Sequence, residues 1–406
     1  MGVKKIIFGV LLIVVMGAGA YYWPNLRGAW FAIKPPPENI AEKISGENKT
    51  DFPLKLPPGF SISIFAKNLP GARDMAIDSD GNMWVSRTKE GIITQLVVES
   101  GVVKSQSDVY GRLNKPHGLA FDPQNPRVLY FAEADKISVV TTGTRMRQEK
   151  IIDLPSGGNH NYYSLRFGAD DRLYVSMGST CNVCIEKDER RAKIYSLKRD
   201  GTDFREFARG LRNAPFMTFN PVDGKMWVTE MGRDFLGDDL PPDEINIIGS
   251  PSASSAQNPP DFGWPNCYSK NIHDTDFDKN TYIRNPCMEP FEIPSFVDIP
   301  AHSAPLGLAF VPHNSAWPED YWYDLIVAYH GSWNRTVPTG YKVVRMKLDA
   351  KGNPPAGGQG VEDFIIGWLT PEGALGRPVG ILIQPNGTMY ISDDKAGVIY
   401  KVIYAH

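Results

Sequence analysis

What this chain lacks argues against several classes of protein. Only four of its 406 residues are cysteine. Cys181 and Cys184 form a Cys-x-x-Cys pair, but Ile185 follows where haem attachment requires histidine. No second pair stands at similar spacing, which weakens a zinc reading. The net charge is −3 and no long basic run occurs, so the clustered footprint of a nucleic-acid binder is missing. The N-terminal apolar run Ile6–Ala20 is about 15 residues, short of the roughly 20 that a spanning helix needs. The acidic stretch Asp238, Asp239, Asp243 and Glu244 invites calcium but matches no EF-hand loop, so solvated loop charge is an equal reading of it.

What is present points to export and to β-structure. Lys4 and Lys5 precede the apolar run, and Ala18-Gly19-Ala20 offers a small-x-small cleavage pattern. Tyr21, Tyr22 and Trp23 could instead extend the run as an interfacial belt. Residues 1–23 therefore read as a cleaved signal peptide or a membrane anchor, with attachment through residues 6–23 in the second case. Both readings put the rest of the chain in the periplasm or outside the cell. Residues 24–54 read as a linker. The even cysteine count fits two disulfides in an oxidising compartment, Cys267 and Cys287 bracketing a loop-like insertion; a redox-active Cys181–Cys184 pair is the rival reading. Glycine (38) and proline (33) are abundant, as many short strands joined by tight turns require.

One pattern recurs over residues 55–404: a short apolar strand, an Asp/Asn/Gly-rich turn, a second strand, a loop and a third strand. Met75-Ala76-Ile77 pairs with Met83–Ser86, and Gly118–Phe121 with Val128–Phe131. Ser164–Phe167 pairs with Leu173–Ser176, and Phe216–Phe219 with Met226–Thr229. Gly307–Phe310 pairs with Leu325–Ala328, and Gly380–Ile383 with Met389–Ser392. Turns such as Asp78-Ser79-Asp80-Gly81 favour tight hairpins. Spacings of roughly 45 residues match propeller blades. The expected fold is all-β, a six-bladed β-propeller with four-stranded antiparallel blades; a sandwich or solenoid is the alternative. Phe60–Ala66 lacks a partner nearby and closes the ring as the outer strand of the last blade, which removes exposed edges. Residues 250–295 break the pattern and read as an insertion after the fourth blade.

Antiparallel strands sort the loops onto two faces. The Asp/Gly turns occupy one. The other gathers Arg73-Asp74, Lys115-Pro116-His117, Asn159-His160-Asn161, Arg212-Asn213 and Arg377 at the starts of inner strands. Glu230–Asp234, His330–Arg335 and Asp393–Lys395 join them from neighbouring loops. Inner strands converge on the axis, so these residues surround a central pit, and several cations aimed at one place suit an anionic ligand. His160 is the candidate general base, since histidine exchanges protons near neutral pH; a loop histidine that only satisfies its neighbours is the bland alternative. His117 and His330 share the face as candidates for binding. His302 stands without comparable context.

At these residues the chain resembles the glucose/sorbosone dehydrogenase family, soluble quinoprotein propellers. The resemblance spans roughly residues 55–404. It rests on Gly158-Asn159-His160, LRNAPFMTFNP around Arg212-Asn213, EMGRD (230–234) followed by Asp243-Glu244-Ile245-Asn246, and Phe262-Gly263-Trp264-Pro265-Asn266. AYHGSWNR, GYKVVRMKL and Gly376-Arg377-Pro378 look like the sorbosone dehydrogenase branch. The resemblance implies pyrroloquinoline quinone (PQQ) and calcium as cofactors. It implies oxidation of an aldose or aldehyde, with His160 taking the proton and hydride passing to the quinone, then to an unidentified electron acceptor. Arg212 and Asn213 would hold the cofactor, Arg377 one of its carboxylates, and the backbone carbonyls of Gly232 and Arg233 the calcium. The sequence departs from the family at Asn159, where glucose-oxidising relatives carry aspartate, and at Leu375, where one of two arginines is missing. No lysine matches the family's cofactor lysine; His330 or Arg335 is its candidate substitute. Two other functions compete. A calcium-dependent lactonase or esterase would hold its metal by side chains, with Asn159, Asn213 and Glu230 as candidates. A non-catalytic propeller would bind protein or glycan through its loops.

Overall fold

The computed structural model describes residues 2–35, 46–143, 147–250, 258–288, 292–349, 352–353 and 360–404. Five four-stranded antiparallel sheets and one five-stranded sheet form a six-bladed propeller. In each blade the chain starts innermost and steps outward. Blade one runs Ala72–Ile77, Met83–Arg87, Ile92–Glu99, Val102–Tyr110. Blade three runs Ser164–Phe167, Leu173–Met177, Lys193–Leu197, Arg205–Arg209, and the other blades repeat the order. Inner and second strands such as Ala72–Ile77 and Met83–Arg87 are buried on both faces, while the outer strand Val102–Tyr110 is polar and largely exposed.

Ring closure takes the expected form. Phe60–Ala66 pairs antiparallel with Val398–Tyr404 as the fourth strand of the last blade. Phe60 then packs edge-on against Trp317 and Phe364 of blade five at 4.8 and 5.0 Å between ring centres. Burying that ring contributes about 1.5–3 kcal/mol to closure. A further strand, Glu47–Lys49, adds in parallel at the outer edge, and Leu54 and Leu56 are buried beside it. The stretch read as a linker is thus partly part of the propeller surface; its residues 36–45 lie outside the described residues.

The insertion sits differently from the expectation. Blade four consists of Met217–Phe219, Met226–Glu230, Asp243–Ile248 and Val297–Ile299. The extra residues therefore fall inside the blade, before its outer strand, not after it. The reason is tertiary: Asp243–Ile248 pairs with Met226–Glu230 on its inner side, and Val297–Ile299 pairs with its open outer edge at Asp243, Glu244 and Ile245. Residues 251–257 and 289–291 of the insertion lie outside the described residues. Both disulfides form, Cys181–Cys184 and Cys267–Cys287, the latter closing the insertion on itself.

Glycine at the start of inner strands lets the blades meet closely at the axis. A Cβ on Gly118 would lie 2.4 Å from the Leu165 nitrogen, and one on Gly307 2.5 Å from the Val379 oxygen.

Candidate active site

The face opposite the Asp/Gly turns carries a pit of about 160 Å³, open to solvent and smaller than the ~300–1,000 Å³ of sites that enclose a drug-sized ligand. Blade three supplies His160 and blade four Arg212 and Asn213, each at the start of an inner strand. The loop leaving the second strand of blade four supplies Met231 to Asp234, and Asp243 begins its third strand. Blade five supplies His302 and Ala304 before its inner strand, and Gly331, Trp333 and Asn334 after its second.

His160 is largely buried and held at Nδ1, 3.1 Å from the carbonyl oxygen of Ser179 and 2.8 Å from its hydroxyl. The hydroxyl donates to the Cys181 carbonyl. A carbonyl only accepts, so Nδ1 carries the hydrogen and Nε2 keeps its lone pair. Burial, reinforced by the Arg212 charge, pushes the imidazole down to about 3, so it is neutral near pH 7. Ser179 thus orients the ring, while Asn159 is exposed and off the pit wall.

Arg212 is buried and fully engaged. Its guanidinium donates to the Asn182 carbonyl and side-chain oxygens (2.8 and 2.9 Å) and to the carbonyls of Met231 and Gly232 (3.1 and 2.9 Å). Arg377 is one layer behind the wall: it donates to the carbonyls of His330 and Gly331, and only Gly331 lines the pit. His330 pairs with Asp394 at 2.9 Å, and Asp394 also holds Arg73 at 2.9 Å. Arg335 lies outward, bound to the Asp238 carbonyl and to Asp239. His117 is fully buried, with Nε2 3.4 Å from the Pro215 carbonyl. The structure thus brings His160, Arg212, Asn213, Gly232 and Arg233 to one wall. It leaves Asn159, His117, His330, Arg335 and the Arg377 head off it.

The remaining donors are oxygens. Asp243 accepts from the backbone nitrogens of Gly232 (2.9 Å) and Ala304 (2.8 Å), and burial pushes its carboxyl up to about 7. Asn334 donates to Asp234 at 2.8 Å, while its own side-chain oxygen is buried on the wall without a partner. An orphaned acceptor costs free energy unless a cation or donor meets it. Asp234, Asp243 and Gly232 line the same pit and add oxygens of the kind a hard cation takes, so the donor chemistry suits calcium. The Arg212 guanidinium on the wall offers an anionic cofactor positive charge, although its own hydrogen bonds already go to neighbouring oxygens. The three side chains a hydrolytic calcium would need do not converge: Asn213 is on the wall, Asn159 is off it, and Glu230 opens on a neighbouring small cavity, where burial raises its carboxyl.

His302 is a pit residue that sequence reasoning set aside, and Trp333 and Asn334, on this face within His330–Arg335, were given no role by it. A signal existed for His302, which precedes the fifth inner strand as His160 precedes the third. Asn334 gave none, because its role depends on contacts with Asp234 and with Gly28 far away in the chain.

The fold and site define a propeller with a one-sided, oxygen-rich polar pit. The sequence matches the TrAA12-like family over residues 54–405, and the chain belongs to it. It is 30% identical over 369 residues to an uncharacterized protein of Borreliella burgdorferi, covering 86% of this chain and 91% of that one. It is 23% identical over 421 residues to the pyrroloquinoline quinone-dependent pyranose dehydrogenase of Coprinopsis cinerea, covering 88% of this chain but spanning only 55% of the length of that enzyme. Among solved structures, the calcium structure of Trichoderma reesei Carbohydrate-Active Enzymes Family AA12 superposes with a TM-score of 0.75 at 19% identity, covering 89% of this chain and all of that one (100%).

Proposed function

We propose that this chain is a PQQ- and calcium-dependent dehydrogenase that oxidises an aldose or aldehyde sugar, with His160 as general base. The observation that carries the reading is the tautomer of His160: Nδ1 is committed to Ser179, and Nε2 is left as an acceptor on the pit wall. Support also comes from membership of the TrAA12-like family and from the quinone and calcium named for its relatives.

When bound, the quinone with its calcium supplies the hydride acceptor. His160 Nε2 takes the proton from the sugar hydroxyl, or from the hydrate of an aldehyde, which makes the carbon-bound hydrogen easier to release as hydride. Arg212 and Asn213 hold the cofactor, Arg212 presenting a positive charge whose position four oxygen contacts fix in advance. The Gly232 and Arg233 carbonyls, with Asp234, Asp243 and the unpartnered Asn334 oxygen, would take the calcium. Arg377 positions the wall at Gly331 and does not reach the cofactor itself. The propeller works in the periplasm or outside the cell, where its two disulfides persist, and the electrons leave through an acceptor outside this chain.

The test is reconstitution with PQQ and calcium, followed by addition of an aldose or aldehyde. Bleaching of the quinone absorbance is expected, with loss in His160→Ala. Turnover of a lactone without quinone would overturn the reading.

A further inference from the structure

The segment directly after the N-terminal helix is strapped onto the rim of the pit. Arg27 pairs with Asp238 at 3.0 Å and Asp239 at 3.3 Å. The Gly28 carbonyl accepts from the buried Asn334 side chain at 2.6 Å, and the backbone nitrogens of Ile33 and Lys34 donate to the Thr336 carbonyl. Gly28 has a φ of +73°, and a Cβ there would lie 2.2 Å from the Gly237 oxygen and 3.1 Å from His302 Nε2. Only glycine fits that approach. Asn334 and His302 both line the pit, so the strap forms the back of its wall.

The strap and the rim also expose large apolar side chains together. Trp30, Phe31 and Ile33 on the strap are 72%, 67% and 61% exposed, and the rim adds Trp333 and Phe235, in ring contact with each other at 6.4 Å. The helix Gly2–Leu26 that leads into the strap exposes Phe8 and every residue from Val10 to Met16, and Tyr21, Tyr22 and Trp23 are exposed near its end. A helix that is apolar all round belongs inside protein or lipid, and aromatic girdles mark a membrane–water interface. That places the helix against lipid and the strap and rim aromatics at the membrane–water interface beside it.

We infer that a phospholipid bilayer is the partner of this face: the N-terminal helix, the strap aromatics and Trp333 with Phe235 dock together, so that the pit opens toward the membrane surface. The strap sets the orientation, because it fixes the end of the helix to the rim through Arg27 and Gly28. The inference is independent of the chemistry in the pit, and its readout is position, not turnover.

The test uses the full chain bound to vesicles of phosphatidylcholine with a minority of phosphatidylglycerol. All four native cysteines are paired, so a single introduced cysteine carries a spin label. A label at Phe235→Cys on the rim is expected to gain collisions with oxygen and lose those with an aqueous nickel chelate on binding. A label at Asp80→Cys, in a turn on the opposite face, is expected to stay in water. Adding Gly28→Val, which expels the strap, is expected to return the Phe235→Cys label to water while the helix keeps the protein on the vesicle. A rim label that never leaves water, or an opposite-face label that does, overturns the inference; so does a rim label that stays shielded in the Gly28→Val background.

Discussion

The imidazole Nδ1 of His160 and the carbonyl oxygen of Ser179 stand 3.1 Å apart, with the Ser179 hydroxyl 2.8 Å away on the same nitrogen. Two acceptor-capable atoms of one residue thus fix the ring in the tautomer a base requires. The carbonyl alone is sufficient for this, because it belongs to the backbone and cannot be mutated away. Ser179→Ala should therefore cost only the hydroxyl contact, about 0.5–1.5 kcal/mol, or roughly a two- to twelvefold fall in kcat/KM. His160→Ala should cost on the order of 10²–10⁴. Steady-state kinetics of the loaded enzyme decide it: equal losses in the two variants would mean that the hydroxyl, not the carbonyl, sets the tautomer.

Arg212 should matter to the fold as well as to the site. Its planar fork satisfies oxygens of Asn182, Met231 and Gly232 at once. Lysine offers a point charge and cannot reach all of them. Arg212→Lys should lower stability by about 1–3 kcal/mol through unpartnered buried carbonyls, seen as a lower Tm without any cofactor present. An unchanged Tm would show that water replaces the guanidinium freely.

His117 sets a pH dependence of stability. Burial, with the Arg73 charge next, pushes it down to about 3, against an ordinary value of 6.5. The unfolded chain then binds a proton that the folded chain refuses between those values, so this residue's contribution is complete above pH 6.5 and is lost as pH falls toward 3. The loss is about 1.4 kcal/mol per pH unit. Buried carboxyls such as Asp243 act in the opposite sense, so the comparison must be made against His117→Gln. Urea unfolding of both proteins at pH 7 and pH 5 should show the wild type losing its advantage at the lower pH. A constant difference would mean that His117 is charged in the fold.

The two disulfides should differ in what they hold. Cys267–Cys287 closes a loop with a sequence separation of 20, against 3 for Cys181–Cys184. Replacing the first pair by serine should cost about 3 kcal/mol by loop entropy and leave His160 in place. Replacing the second should cost less stability yet disturb the site, because the Cys181 carbonyl holds the Ser179 hydroxyl and Asn182 holds Arg212. Chemical denaturation and kcat/KM, measured side by side, separate the two effects.

The propeller was legible in the chain because its signals are local. An apolar triplet, an Asp/Gly turn and a second apolar run recur, and each hairpin forms from neighbours in sequence. The unpartnered strand Phe60–Ala66 even announced how the ring closes. The insertion was placed one strand late, since nothing in residues 250–295 says that Val297–Ile299 belongs to the blade before it.

For the site, the sequence by itself determined which residues stand at the pit end of each inner strand, and so put His160, Arg212 and Asn213 together. Tertiary structure alone decided which cations stay free. Arg377, His330 and Arg335 lie on the correct face, but carbonyls and carboxylates from distant loops claim them. It also decided that Ser179 orients His160 and that Gly28 backs the wall. The physical reason is that strand alternation fixes the side of the sheet a residue takes, whereas hydrogen-bond partners are set by which loops blade closure brings within about 3 Å.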